Sequence, residues 1–102
     1  MSDNRRSTRH FVSIAAKIAY GGDSVDATII NLSLGGAQVA STGKHAMGQR
    51  VVVSFHVPSL NHGVEIGATV RWADDNNGVG LQFDGLRARD VWAINEYFRR
   101  LP

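Results

Sequence analysis

The chain is 102 residues long, 43% hydrophobic and 20% charged, which suits one small globular domain and excludes a disordered polymer. It has no cysteine, so disulfides, thiolate metal sites and a cysteine nucleophile are excluded, in keeping with a reducing interior. The net charge of +2 excludes a polycation, yet the arginines are clustered: Arg5, Arg6 and Arg9 near one end, Arg87, Arg89, Arg99 and Arg100 near the other.

The first ten residues are polar, and residues 1–11 read as a flexible basic arm, with the folded domain expected over 12–102. The arm lacks the apolar run of a signal peptide, and no later run approaches the ~20 residues that cross a bilayer. A cytoplasmic protein with no membrane association is expected. From Val12 the pattern has period two: Val12, Ile14, Ala16, Ile18 and Tyr20 alternate with Ser13, Ala15, Lys17 and Ala19, as in a half-buried strand. Gly21–Ser24 is a turn. Val25–Leu32 resumes β-rich sequence, with Val25, Ala27 and Ile29 on one face, and residues 37–41 (AQVAS) follow a glycine pair as a third strand.

After a polar loop, residues 50–57 (RVVVSFHV) alternate again until Pro58. Val64–Ala73 places Val64, Ile66, Ala68, Val70 and Trp72 on one face, and DDNNG at 74–78 is a hairpin turn into Val79, Leu81 and Phe83. Within residues 88–102 the period changes: Val91, Ile94, Phe98 and Leu101 form one helix face, with Arg99 and Arg100 suiting the negative end of the dipole. The expected architecture is mainly β, a six-stranded antiparallel barrel covered on one side or end by a C-terminal helix.

Residues 29–39 (IINLSLGGAQV) break the pattern. Asn31 and Ser33 interrupt an apolar strand at alternating positions, which directs both side chains to one face. Gly35 and Gly36 then clear bulk beside them, as at a bulge or a place where something approaches the backbone. Two short hydrogen-bonding groups beside a cleared patch suit a flat polar ligand.

R-x-x-x-R at Arg5 and Arg9 followed by N-x-S-x-x-G at Asn31, Ser33 and Gly36 resembles the paired signature of PilZ domains, and the spacing between the two agrees with the family pattern. The GVGLQF segment and the helix after it are also similar to family members. The resemblance implies a PilZ-type barrel and a receptor for the bacterial second messenger cyclic di-GMP, with no cofactor. Motility and polysaccharide production are typical outputs of the family. Arginine meets a guanine O6/N7 edge or a phosphate with two parallel hydrogen bonds. The carry-over therefore assigns Arg5 and Arg9 to guanine edges and phosphates, Asn31 to a guanine N–H, Ser33 to guanine or phosphate, and Gly36 to close approach. Arg6 and Gly35 are auxiliary. The arm is expected to fold over the ligand at about 1–2 kcal/mol of backbone entropy per residue, which sets affinity near micromolar. The clamped arm would then present a new surface to an unnamed protein partner. Asn31 stands where the family more often has Asp, the stronger acceptor. The sequence leaves open whether one ligand or a stacked pair is bound.

Rival readings are weaker. A protein-interaction adaptor would keep the barrel and ignore the nucleotide. A single-stranded nucleic-acid binder needs exposed aromatics and a basic groove along the strands, whereas only Lys17, Arg50 and Arg71 fall there, so no DNA or RNA partner is expected. No nucleophile–base pair or metal-ligand spacing appears, so no enzymatic activity is expected. His45 and His62 read as loop residues, and Trp72 and Trp92 as core or interface residues rather than a stacking platform.

Overall fold

Alternation makes each strand a wall with one dry face. In β1 (His10–Tyr20), Ile14, Ala16 and Ile18 are buried while Ser13, Ala15 and Lys17 are exposed. A computed structural model of the chain describes residues 8–41, 43–76 and 78–102. After β1 come β2 (Asp23–Leu32), β3 (Gly36–Ser41), β4 (Arg50–Val57), β5 (His62–Asp74), β6 (Gly78–Phe83) and α1 (Ala88–Arg99). The strands close into an antiparallel barrel in the order β1-β2-β3-β6-β5-β4, with β1 meeting β4 through Ala16–Ala19 and Val52–Phe55. Closure leaves no long free sheet edge to template aggregation. The six strands and terminal helix match the architecture expected from the periodicity.

The barrel is filled by Ile18, Ile29, Leu32, Val39, Val53 and Val70, each at most 1% exposed. Burying a side chain of this kind contributes roughly 1.5–3 kcal/mol relative to leaving it in water. Helix α1 adds Ala93 and Ile94, both fully buried.

Two features depart from the sequence reading. β1 begins at His10, two residues ahead of the periodic start, because the His10 ring stacks on Phe98 of α1 with centroids 3.9 Å apart. His62 is not a loop residue but opens β5, where its Nε2 donates to Asp90 at 2.9 Å. Arg87 donates to the same carboxylate at 3.4 Å. Asp90 lies in the first turn of α1 and is fully buried, so the helix seats a paired carboxylate against the barrel as well as an apolar stripe. Trp92, in contrast, is excluded from the core and is 59% exposed. No helix among the described residues is long and apolar enough to cross a membrane.

Candidate functional site

The turn between β2 and β3 is organised by one hydroxyl. Ser33 Oγ accepts from the backbone N–H groups of Gly35 and Gly36, each at 3.2 Å, and donates to the Gly36 carbonyl at the same distance. The Ser33 N–H also bonds the Gly36 carbonyl at 2.9 Å, and Phe83 N–H donates to the Gly35 carbonyl at 2.9 Å, tying the turn to β6. Local capping of this kind is what a short hydroxyl residue does best. Ser33 thus lies beyond the end of the strand, so it does not share a strand face with Asn31 as the alternation implied. Gly36 is glycine for a reason independent of any ligand: a side chain there would collide with the Leu81 carbonyl of the neighbouring strand.

Of three irregularities in the strand ladders, between Phe11 and Ile14, Ile29 and Asn31, and Val70 and Trp72, the last two decide which side chains surround the site. Between Ile29 and Asn31, β2 spends two residues where β3 spends one, from Val39 to Gln38. Asn31 is thereby turned away from the core face that Ile29 occupies. It remains only 6% exposed, and its Nδ2 donates to Gln38 Oε1 at 2.6 Å. In β5 the same thing happens between Val70 and Trp72, opposite Leu81 and Gly80. Regular alternation would have sent Trp72 inward behind Val70. The bulge sends it outward instead, where its indole lies over Gly80 so closely that any side chain on Gly80 would collide with it.

The result is a pocket of about 400 Å³ on the outer wall, lined by Arg9, the Ser33–Gly36 turn, Gln38, Arg71, Trp72 and Gln82. Of the residues the sequence singled out, the structure gathers Arg9, Ser33, Gly35 and Gly36 around this pocket. Asn31 stands behind its wall through Gln38. Arg5 and Arg6 lie outside the described residues. Among the described residues that line the pocket, the charged groups are Arg9 and Arg71 and none is acidic, so the site favours an anion. A planar indole over a polar floor adds a place for a flat ring. Among the described residues no cluster of His, Asp and Glu could hold a metal ion.

Arg71, Trp72, Gln38 and Gln82 are the site residues that sequence reasoning missed. Gly80 was the available signal, since a glycine inside a strand often marks a close approach. A larger groove of about 830 Å³ lies along the seam of β1 and β4 and contains none of the motif residues. Two of its charged groups, Lys17 and Asp26, are paired with each other at 2.5 Å.

The PilZ domain family model matches residues 3–100. This chain belongs to the PilZ family. Among curated protein sequences none matches it. Two of the solved structures that match share its fold. The Bacillus subtilis inhibitor of motility MotI (DgrA) has a TM-score of 0.69 and 19% identity over 96% of this chain and 53% of its own. Borreliella burgdorferi PlzA, solved in complex with c-di-GMP, has a TM-score of 0.68 and 23% identity over 93% of this chain and 36% of its own. The PilZ domain described here thus spans about half of the first structure and about a third of the second.

Proposed function

We propose that this PilZ domain is a receptor for cyclic di-GMP and that the ligand occupies the pocket between the β2–β3 turn and the outer face of β5 and β6. The observation that carries this reading is the meeting of Arg9 with the Ser33–Gly36 turn around a cationic pocket, since the two motifs are far apart in sequence. Arg9 and Arg71 supply planar forks for guanine edges or phosphates. Trp72 supplies an aromatic face for a base, and the turn supplies a surface without bulky side chains. Asn31 acts through the plane of its amide, which the bond to Gln38 orients. PlzA, with the same fold and a bound c-di-GMP, supports the ligand class.

Relay follows from the position of the arm. Arg5, Arg6 and Arg9 precede β1, so a ligand that engages them holds the segment ahead of β1 against the outer wall and changes the surface offered to a partner protein. MotI, a motility inhibitor with the same fold, is consistent with such an output.

Isothermal titration of cyclic di-GMP into the protein, with GTP as control, tests the reading. Saturable heat for cyclic di-GMP and none for GTP is expected, and the molar ratio reports whether one ligand or a stacked pair fills the site. No heat at high micromolar ligand would replace the receptor by a ligand-independent interaction adaptor.

A further inference from the structure

One row of paired residues runs across five strands on the outer wall: Phe11 faces Asn31, Asn31 faces Gln38, Gln38 faces Gly80, and Gly80 faces Trp72. Trp72 ends the row on one side. Phe11 ends it on the other and is 89% exposed, more than any other large hydrophobic side chain described. Isolated exposed apolar residues are common and ordinarily need no explanation. Phe11 differs in being aligned with the candidate pocket and held in place. It follows Arg9 by two positions, its neighbour His10 is stacked on Phe98, and its strand partner Asn31 is bonded to the pocket residue Gln38. It is therefore a presented ring, not the end of a frayed strand.

We propose that Phe11 is a second base-stacking platform of the nucleotide site, opposite the one formed by Trp72 on Gly80. The proposal rests on the cyclic di-GMP reading and extends it to a residue outside both signature motifs. Counted along the curved wall of the closed barrel, four strand spacings separate the two backbone positions, a path of about 19 Å. That exceeds the width of a purine, so the two aromatics serve different bases of the bound nucleotide. The Asn31–Gln38 pair forms a polar floor between them, and Arg9 reaches the same stretch from the arm. Stacking suits both ends because it asks only for a π face and leaves guanine recognition to the arginine forks. The backbone of Phe11 is already ordered in β1, so binding has only its side-chain torsions to restrict.

The test is calorimetric titration of cyclic di-GMP into the wild-type chain and the variants Phe11→Ala, Phe11→Trp and Trp92→Ala. Losing one stacked base should weaken Phe11→Ala by about five-fold or more, with an unchanged melting temperature in the absence of ligand. Phe11→Trp should bind at least as tightly as wild type, and Trp92→Ala, which removes an exposed aromatic that is not part of the row, should be unaffected. In a Trp72→Phe, Trp92→Phe background, the fluorescence of Phe11→Trp should change on saturation with ligand. Wild-type affinity in Phe11→Ala overturns the platform while leaving the receptor reading intact. Absence of binding by the wild-type chain overturns the receptor reading itself.

Discussion

The indole of Trp72 rests on the backbone of Gly80, which is its direct strand partner across the β5–β6 ladder. The bulge at Arg71 aims the ring outward, and the missing side chain on Gly80 lets it lie flat against the sheet. The first consequence concerns Gly80→Ala. The added methyl group displaces the indole, which is a side chain free to swing away, so the stability cost should be modest, about 1 kcal/mol. The pocket loses its aromatic wall all the same. In a Trp92→Phe background, the emission of Trp72 should shift toward that of exposed tryptophan, and cyclic di-GMP affinity should fall.

Gly36 gives the opposite balance. A methyl group there meets the Leu81 carbonyl, and backbone inside a closed barrel cannot swing aside. Gly36→Ala should therefore destabilise the ligand-free protein by about 1–3 kcal/mol, the range for overpacking. Urea unfolding without nucleotide checks this. An unchanged midpoint would show that β3 and β6 can separate and that this glycine serves the ligand alone.

Arg9 is exposed and lines the pocket without belonging to the core. Arg9→Ala should leave the melting temperature unchanged and weaken cyclic di-GMP binding by at least about ten-fold, since a bidentate contact contributes roughly 1–3 kcal/mol. Arg9→Lys should recover only part of the loss, because an ammonium keeps the charge without the planar fork. Full recovery by lysine would reduce the contact to charge.

Ser33 links the fold and the site through one hydroxyl. Ser33→Ala removes the acceptor shared by the Gly35 and Gly36 N–H groups and should cost about 1 kcal/mol of stability, as a lost turn hydrogen bond does. Affinity should fall as well, even for a ligand that never touches the hydroxyl, because the turn forms part of the pocket wall. Hydrogen exchange at the Gly35 and Gly36 amides, faster in the variant, would trace the loss to the turn.

Acid stability depends on Asp90. Burial pushes its carboxyl up, but hydrogen bonds from His62 and Arg87 outweigh burial and hold it below the ordinary value of 3.8. A pKa lower in the folded state than in the unfolded chain means that the stabilisation is complete above about pH 4 and is lost as the pH falls below it. Unfolding midpoints at pH 7, 4.5 and 3 should decline over the last interval. In Asp90→Asn that part of the decline should vanish, with a cost at pH 7 of about 1–3 kcal/mol for the broken charge-assisted bonds. An equal acid decline in the variant would place the sensitivity elsewhere.

Period-two alternation made the strands legible, because a half-buried wall imposes that pattern residue by residue: Ile14, Ala16 and Ile18 went inward as read. The motif spacing was enough to bring Arg9 and the Ser33–Gly36 turn under one hypothesis. Trp72 escaped the same method. Its place behind Val70 in the alternation directed it to the core, and nothing local marks the extra residue that reverses it. A bulge exists only relative to a partner strand, and its position follows from the register that β5 and β6 take across their hairpin. Asn31 is the same case, turned outward by an irregularity visible only against β3.

The linear sequence by itself determined which segments are strands, which is the helix, and which two short motifs are unusual, since periodicity, turn chemistry and residue type act over a few neighbouring positions. Only the tertiary structure decided that Gly36 answers to Leu81, that Asp90 is seated between His62 and Arg87, and that Phe11 and Trp72 end one row with a polar floor between them. Each of these depends on the register between chain segments distant in sequence, which is set by packing the whole barrel at once.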